Sequence, residues 1–519
     1  QRPAAACLFN LSVSDAEAAA AMRDKGVLEA LVEQLAFAEE DDYAEVVGWA
    51  AGTLLNCAAK PDVVPFNALP AQTLAMLLNC LDQSGPALQN VNAAGALMNL
   101  LAASEPAASE LLRRSGLKAL LELLGATREE VTVTRHCAGA IANVLLHEEG
   151  REALLSLGGV PLLVEAIDTD DDDTQCAASL SILNACYENE RTRQALVDAG
   201  GVSLLLNCLS SDSARVRAAA LGALLNAAAT ESCAEAIRDG VVETDDADND
   251  ADNAMPAHKM LATLLNDRDG LVCARAAGVL FNLSAFGPDN RMALLEDGTL
   301  GIVATALKEL ANAMAAKSQP PSEVAFRLQA NLIGVLLNTA LNPNCKKEVL
   351  AYGGLETLLS FLGSTDAAVQ ALAATAIAYL NDKAEYRPGS PQSKLRASEG
   401  AAHQTFRKKH FHATAGDVTG NGDSGDINGD DTNADRAKQS ATAIDDEAEE
   451  TPGARSMSQY GRLPRAKVSA TQDSESKGPR LLQEQPESFT LTLTAHVVPE
   501  QVEEAYEELP TPLPSPRDE

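Results

Sequence analysis

The 519-residue sequence contains few aromatic and few basic side chains. Phe, Trp and Tyr make up 3% of it and Trp49 is the only tryptophan, so a core drawn from its 46% of hydrophobic residues must consist mainly of Ala, Leu, Val and Ile. Such side chains pack closely between helices, and we therefore predict helices rather than sheets. Its 40 Lys and Arg against 74 Asp and Glu give a net charge of −34. That charge argues against nucleic acid and anionic lipid as general partners.

Several other features are absent from the sequence. It has no uncharged apolar run of 18 or more residues, so we predict no transmembrane segment. Its ten cysteines lie in apolar helical contexts without a C-x-x-C pair, which indicates small buried side chains in a reducing compartment, not disulfides or zinc ligands. No G-x-S-x-G, H-E-x-x-H or phosphate-binding glycine loop occurs. We predict a cytoplasmic protein, with the nucleus as alternative, that has no catalytic site and no cofactor.

A short pattern recurs along the chain, as in AAGTLLNC (50–57), AAGALMNL (93–100) and AAGVLFNL (276–283). Each copy carries an asparagine, and Tyr379 takes its place in the last copy, AATAIAYL. The spacing of these residues is 41–46, apart from two steps of 56 that contain insertions at 243–253 and 310–323. Such a period is typical of a repeat protein. The asparagines after Asn10 are Asn56, Asn99, Asn143, Asn184, Asn226, Asn282 and Asn338.

Between these copies, a glycine is followed by leucines at three- and four-residue spacing, as in AGGVSLLLNCL (199–209) and YGGLETLLSFL (352–362). The leucines indicate a helix with one buried face, and the glycine indicates a corner before it. Each period therefore predicts two shorter helices around a glycine corner, a polar loop and a third helix that carries the asparagine. One unit cannot bury its apolar face alone, but a stack can.

We predict an all-α, right-handed α-solenoid over residues 1–386, with about nine repeats. The first repeat contains only its third helix, so we expect a chain that starts inside a repeat.

The pattern resembles the armadillo repeat family, which pairs a glycine-led second helix with a third helix ending in an Ala-Leu-x-Asn-Leu motif. HEAT repeats are the structural neighbour, but the glycine corner and the asparagines favour armadillo. The resemblance implies that third helices line a concave groove and that Asn56, Asn99, Asn143, Asn184, Asn226, Asn282 and Asn338 face a bound chain. A carboxamide can pair with both N–H and C=O groups of a peptide. The alternative is that these asparagines bridge adjacent helices or bind water.

Importin-α, an armadillo protein, has a tryptophan four residues before that asparagine. Here the position holds Gly52, Gly95 and Gly139 in the first complete repeats, so the stacking of lysine stems between indole rings is not expected. A general receptor for nuclear-import signals is therefore disfavoured. We interpret Trp49 as a core residue.

Beyond the repeats, residues 387–519 are rich in Gly, Ser, Pro and charged residues, and we predict an acidic disordered tail. Within it, 488–498 alternates like a strand and 499–509 begins with proline like a short helix. His403, His410 and His412 indicate a basic recognition patch or a linker rather than a metal site. The run Asp246, Asp248, Asp250 resembles a calcium loop but lacks the required glycine and glutamate, so it predicts solvated acidic residues.

The leading hypothesis is a non-catalytic scaffold that binds a basic or extended protein segment in an acidic concave groove. A second hypothesis is a regulator of small GTPases, because the acidity and irregular repeats are similar to the small-GTPase GDP-dissociation stimulator family, whose members bind basic prenylated tails. A third is an adaptor similar to the vacuolar, membrane-associated armadillo proteins.

Overall fold

The computed structural model describes residues 2–14, 16–127, 130–242, 254–316 and 322–381. The predictions for 243–253, for 317–321 and for the tail from residue 382, including 488–498, 499–509 and the three histidines, lie outside these ranges. The described residues form 24 α-helices and one short antiparallel strand pair, β1 (Val241–Val242) and β2 (Met255–Pro256). None of the described helices combines the length and the apolar character needed to cross a bilayer.

Nine helices occupy the predicted third position of a repeat, and each packs against the third helix before it. They are α1 (Arg2–Ser14), α4 (Ala44–Ala58), α6 (Ala87–Ala103), α9 (Val131–Val144), α12 (Asp172–Ala185), α15 (Ala214–Ala227), α18 (Gly270–Ala285), α21 (Glu323–Thr339) and α24 (Ala367–Asn381). We number the units 1 to 9 by these helices.

The other helices are the first and second helices of units 2 to 9, and all except α20 are shorter than the third helices. They are α2 (Ala16–Asp24), α3 (Val27–Gln34), α5 (Thr73–Asn79), α7 (Glu105–Arg113), α8 (Gly116–Ala126), α10 (Glu148–Ser156), α11 (Val160–Glu165), α13 (Glu190–Asp198), α14 (Gly201–Asn207), α16 (Glu231–Arg238), α17 (Ala257–Thr263), α19 (Pro288–Glu296), α20 (Thr299–Ala316), α22 (Pro343–Ala351) and α23 (Gly354–Phe361). The predicted all-α stack of three-helix units is confirmed, and α20 ends inside the stretch 310–323.

Unit 3 departs from the predicted plan because it has no first α-helix. Between α4 and α5 the chain contains Pro61, Pro65 and Pro70, and it forms only a short 3-10 turn at Phe66–Ala68. Proline has no N–H to donate and its ring clashes with the preceding helical turn, so three prolines within ten residues prevent a helix there.

The third helices form the interior layer of the stack. In α15 the side chain of Val216 and the whole run 218–227 are buried, because α12, α14 and α18 all contact this helix. By contrast, the first helix α16 buries only one stripe, Cys233, Ala234 and Ile237. The alanine-rich composition of the third helices thus follows from burial between neighbours on several sides.

The cysteines are part of this interior. Nine of the ten are buried and all are free thiols, as predicted, whereas Cys7 on α1 is exposed. Burial raises the pKa of Cys80 to about 12 and that of Cys57 to about 11, so these thiols stay protonated and behave as small apolar groups.

In units 3 to 7 and in unit 9, the turn into the third helix is closed by a side chain nine residues before the repeated asparagine, or before Tyr379 in unit 9. Asn90 Nδ2 donates to the carbonyl of Asp82 at 2.7 Å, and Gln370 Nε2 donates to that of Leu362 at 2.7 Å. Thr134, Gln175, Arg217 and Cys273 make equivalent bonds in units 4 to 7. These bonds satisfy carbonyls where the second helix has ended.

The corner before the second helix requires a left-handed backbone. Gly26, Gly200 and Gly353 have φ of 70°, 71° and 74° and immediately precede α3, α14 and α23. In unit 4 the corresponding residue is Ser115, with φ of 58°. A residue with a Cβ is strained in this conformation, whereas glycine is not.

We therefore expect Ser115→Gly to raise the free energy of unfolding by about 0.5–1 kcal/mol. The measurement is urea denaturation followed by circular dichroism. Ser104→Gly is the matched control, since Ser104 has an extended backbone with φ of −153°, and it should leave stability unchanged or slightly lower. An equal effect of both substitutions would contradict the assignment of strain to Ser115.

Candidate protein-binding face

The predicted asparagines hydrogen-bond the helix before them in a fixed register. In units 3 to 8 the Nδ2 group donates to the carbonyl of the residue that precedes the asparagine of the previous unit. The bonds are Asn99 to Leu55 (3.2 Å), Asn143 to Met98 (3.0 Å), Asn184 to Ala142 (2.8 Å), Asn226 to Leu183 (2.9 Å), Asn282 to Leu225 (2.8 Å) and Asn338 to Phe281 (3.4 Å). Asn56 Nδ2 donates to Ser12 Oγ at 2.9 Å. We call this set the asparagine ladder.

These bonds correspond to the alternative in which the asparagines bridge adjacent helices. Asn56, Asn184, Asn226, Asn282 and Asn338 are buried, and Asn226 is 0% exposed. Asn99 and Asn143 are half-buried and so can still reach a ligand. Contact between the ladder and a bound chain stays a prediction, and the burial pattern concentrates it on these two residues.

A second ladder, which the sequence analysis missed, runs seven residues before the first. Asn92 donates to the carbonyl of Gly48 (2.8 Å), Arg275 to that of Ala218 (2.7 Å) and Asn331 to that of Ala274 (2.9 Å). His136 Nδ1 lies 2.8 Å from the carbonyl of Val91, which makes Nδ1 the protonated nitrogen. The residue type changes from Asn to His to Arg, so no motif marks this ladder; only the seven-residue offset could have suggested it, since residues two turns apart share a helix face.

The glycines at the importin tryptophan position are needed for close packing. A Cβ on Gly52 would lie 2.7 Å from the Phe9 ring and 2.8 Å from Asn92 Nδ2, and a Cβ on Gly222 would lie 2.9 Å from Arg275 Nη1. Side chains from both neighbouring helices therefore occupy the space that an indole ring would need. Where this position is Leu180 instead, the second-ladder residue of the next helix is Ala219, so a large residue faces a small one.

In units 2 to 4, part of the surface formed by the third helices is apolar and accessible to solvent. Trp49 is half-buried, against the prediction of a core residue, and its ring packs on Phe9 with centroids 4.8 Å apart. Leu55 and Met98 are also half-buried. Ala59 and Ala102 are exposed, and Leu146 is 45% exposed. Together with Asn99 and Asn143, these six residues form what we call the apolar floor.

The negative charge of the chain does not lie on the third helices, which corrects the expected acidic groove. Their acidic residues are Glu45, Asp172, Asp173 and Glu323, and their basic residues are Arg2, Arg135, Arg215, Arg217, Arg275 and Arg327. The reason is that a helix buried between others accepts few charges, so the carboxylates are left to loops and outer helices.

The loops before the third helices and the first turns of these helices carry carboxylates, and three of them in the middle of the stack pair with arginines. Arg135 contacts Asp171 at 2.9 Å, Arg215 contacts Asp173 at 2.9 Å, and Arg217 contacts Asp267 at 2.8 Å. Burial by itself raises the pKa of Asp171, but hydrogen bonds from Thr174 and Arg135 hold it below its ordinary value. The Asp171 carboxylate is therefore held ionised and is neutralised by Arg135 within the protein.

In units 2 and 3 the loop carboxylates are exposed and unpaired. Glu39, Glu40, Asp41 and Asp42 precede α4, and Asp82 lies between α5 and α6. None of these five forms an ion pair with another residue in the described ranges. We call them the acidic rim. They lie at the amino ends of α4 and α6, whereas Leu55 and Met98 lie in the carboxyl-terminal parts of these helices and Leu146 lies just beyond α9.

The asparagine ladder should contribute to stability according to burial. We expect Asn226→Ala to lower the free energy of unfolding by about 1–3 kcal/mol, because it removes a buried hydrogen bond and leaves part of the Leu183 carbonyl without water or donor. Asn143→Ala is the matched control, and its cost should be below about 1 kcal/mol because water can replace the half-buried amide. Urea denaturation tests both, and equal losses would contradict this ranking.

The second ladder should make stability depend on pH. Burial lowers the pKa of His136, opposed by its bond to the Val91 carbonyl, so the folded protein holds this ring neutral. The unfolded chain takes up a proton below about pH 6.5, so stability is lost as pH falls below that value, by at most about 1.4 kcal/mol per pH unit. His136→Asn, which keeps a donor as at Asn92, should flatten the stability curve between about pH 6.5 and 5. Parallel curves for the two proteins would show that His136 does not contribute.

Comparison with known proteins agrees with this architecture. The armadillo/beta-catenin-like repeat family matches residues 189–229 and 342–380. An engineered protein of known crystal structure is 26% identical, covers 80% of this chain and 92% of its own length, and has a TM-score of 0.61. A designed armadillo repeat protein is 20% identical over 51% of this chain and 100% of its own, with a TM-score of 0.43. No curated protein matches. The chain therefore has an armadillo-type α-solenoid fold, and two of its repeats match the armadillo/beta-catenin-like repeat family.

Proposed function

We propose that this protein is a non-catalytic scaffold that binds a basic segment of a partner protein across the third helices of units 2 to 4. One observation carries the proposal: the same units expose both the apolar floor and, at the amino ends of α4 and α6, the unpaired carboxylates of the acidic rim. Exposed apolar side chains beside charges of one sign are typical of a protein-binding site.

The floor would provide most of the binding free energy. Trp49 is the kind of residue that dominates interfaces, because a large ring removes much apolar surface from water when it is covered. Leu55, Met98 and Leu146 flank it on successive helices, and Asn99 and Asn143 each keep a partly exposed amide for polar contacts. The five buried asparagines then serve to hold the helices in register rather than to bind the partner.

The rim would act mainly on the rate and selectivity of association. Unpaired carboxylates in one loop raise the local concentration of basic segments and disfavour acidic ones. Arg135, Arg215 and Arg217 pair with Asp171, Asp173 and Asp267 of units 5 to 7 and reduce the field of those three carboxylates. The proposal therefore places the partner in the first half of the stack.

The small-GTPase regulator and the membrane adaptor are separate hypotheses that derive from family resemblance alone. A nucleotide-release assay with a panel of small GTPases distinguishes the first, because a scaffold leaves release rates unchanged.

The proposed role of the rim can be tested with a lysine-rich peptide, using Trp49 fluorescence as the signal. We expect Asp41→Asn/Asp42→Asn to weaken binding about 3- to 10-fold at low salt, because each exposed charge contributes a few tenths to one kcal/mol. The matched control is Glu296→Gln/Glu356→Gln, which removes two exposed carboxylates from α19 and α23. Binding should also weaken as salt is raised.

If the control pair weakens binding as much as the rim pair, net charge rather than the rim attracts the peptide. If salt has no effect at all, the electrostatic part of the proposal is wrong.

A further inference from the structure

The hydrogen-bonding groups of the floor are largely in use before any partner arrives. In units 2 to 4, Asn56, Asn99 and Asn143 donate to the preceding helix, and so do Asn92 and His136 of the second ladder. An extended chain exposes an unpaired N–H or C=O at every residue and depends on such groups for recognition. An α-helix pairs its own backbone and needs only a surface for its side chains.

The floor also has no slots for the alternating side chains of a strand. The positions between adjacent third helices are Gly52, Gly95 and Gly139, and Phe9, Leu55 and Met98 already cover them. Strand recognition takes its specificity from pockets for every second residue. A continuous apolar surface without such pockets instead fits the apolar stripe of an amphipathic helix.

The spacing of the floor agrees with a helix. Adjacent third helices lie about 8–10 Å apart, and seven residues of an α-helix advance about 10.5 Å. Apolar residues at i and i+7 of a partner helix would therefore meet successive third helices, with those at i+3 and i+4 between them. Leu55, Met98 and Leu146 lie on three successive third helices or at their ends, α4, α6 and α9.

The charges of the face indicate what the flank of that helix carries. The acidic rim lies at the amino ends of α4 and α6, on the side of the floor where Trp49 lies, and its five carboxylates are unpaired within the described chain. The only charged residues on α4, α6 and α9 are Glu45, which pairs with Arg2, and Arg135, which pairs with Asp171 and Asp173. The complementary partner has lysine or arginine beside its apolar stripe.

We infer that the partner segment binds as a basic amphipathic α-helix laid across the third helices of units 2 to 4. This inference rests on the proposed function, and it adds the conformation and the sequence pattern of the partner: apolar residues at i, i+3, i+4 and i+7 with basic residues on the flank.

The experiment compares two lysine–leucine peptides of about 18 residues, long enough to form a helix. They have the same composition, but one has leucines at i, i+3, i+4 and i+7 and the other has strict alternation. Trp49, the only tryptophan, reports binding to the full chain. We expect the helix-patterned peptide to bind at least about 10-fold tighter. Its Cα chemical shifts, measured on labelled peptide, should become helical on binding.

Placement is tested with Leu146→Glu, which should weaken binding of the helix-patterned peptide about 10-fold or more. Leu157→Glu is the matched control, because Leu157 is similarly exposed, 41% against 45%, but lies between α10 and α11, outside the apolar floor. An equal loss of binding with Leu157→Glu would overturn the placement.

The outcomes separate this inference from the function it rests on. If both peptides bind equally in a salt-dependent way, or if the bound peptide has extended shifts, the helical form is wrong and the basic-segment scaffold stands. If neither peptide binds, the proposed function of this face fails together with the inference.

Discussion

The fold depends on hydrogen bonds from third-helix side chains to backbone carbonyls of the preceding third helix. A helical carbonyl already accepts one bond from within its helix, but its second lone pair is open to a side-chain donor. The asparagine ladder and the second ladder use this capacity seven residues apart, so in units 3, 4, 7 and 8 each third helix is attached to the one before it at two points two turns apart. Two points fix both the separation and the sliding of one helix along another, which hydrophobic contact alone does not do.

Close approach is the condition for these bonds, and it explains the small residues. A carboxamide reaches a neighbouring backbone only if the helices nearly touch, and at Gly222 even one added carbon would collide with Leu183 and Arg275. The glycine four residues before the asparagine thus permits the close approach that the donor seven residues before the asparagine needs for its hydrogen bond. Where the glycine position holds Leu180, the second-ladder position of the next helix holds Ala219, so a larger side chain at one position goes with a smaller one at the other.

How far the sequence predicts this structure depends on the kind of pattern. The period and the glycine corners predicted the order of helices, because each reports a local backbone requirement. Pro61, Pro65 and Pro70 also predict the absence of a first helix in unit 3. This was missed because the same three-helix plan was assigned to every repeat. The hydrogen-bond partner of the asparagines could not be predicted, since a carboxamide can bond to a bound peptide and to a neighbouring helix equally well. The charge of the face was misjudged for a further reason: a total charge does not say where the carboxylates lie.

The candidate site therefore belongs to the positions where units differ, not to those that repeat. A ladder residue is buried in most units because it holds two helices together, and a residue engaged in this way is poorly placed to distinguish one partner from another. Trp49, Leu146 and the loop 39–42 have no counterparts of the same type in the neighbouring units. Changing them leaves the ladders untouched, so such positions can acquire a partner without loss of the stack. In a protein built from repeats, residues that hold the helices together are poorly available for binding specificity. Here the positions that differ from their neighbours and remain exposed or half-buried lie in units 2 to 4.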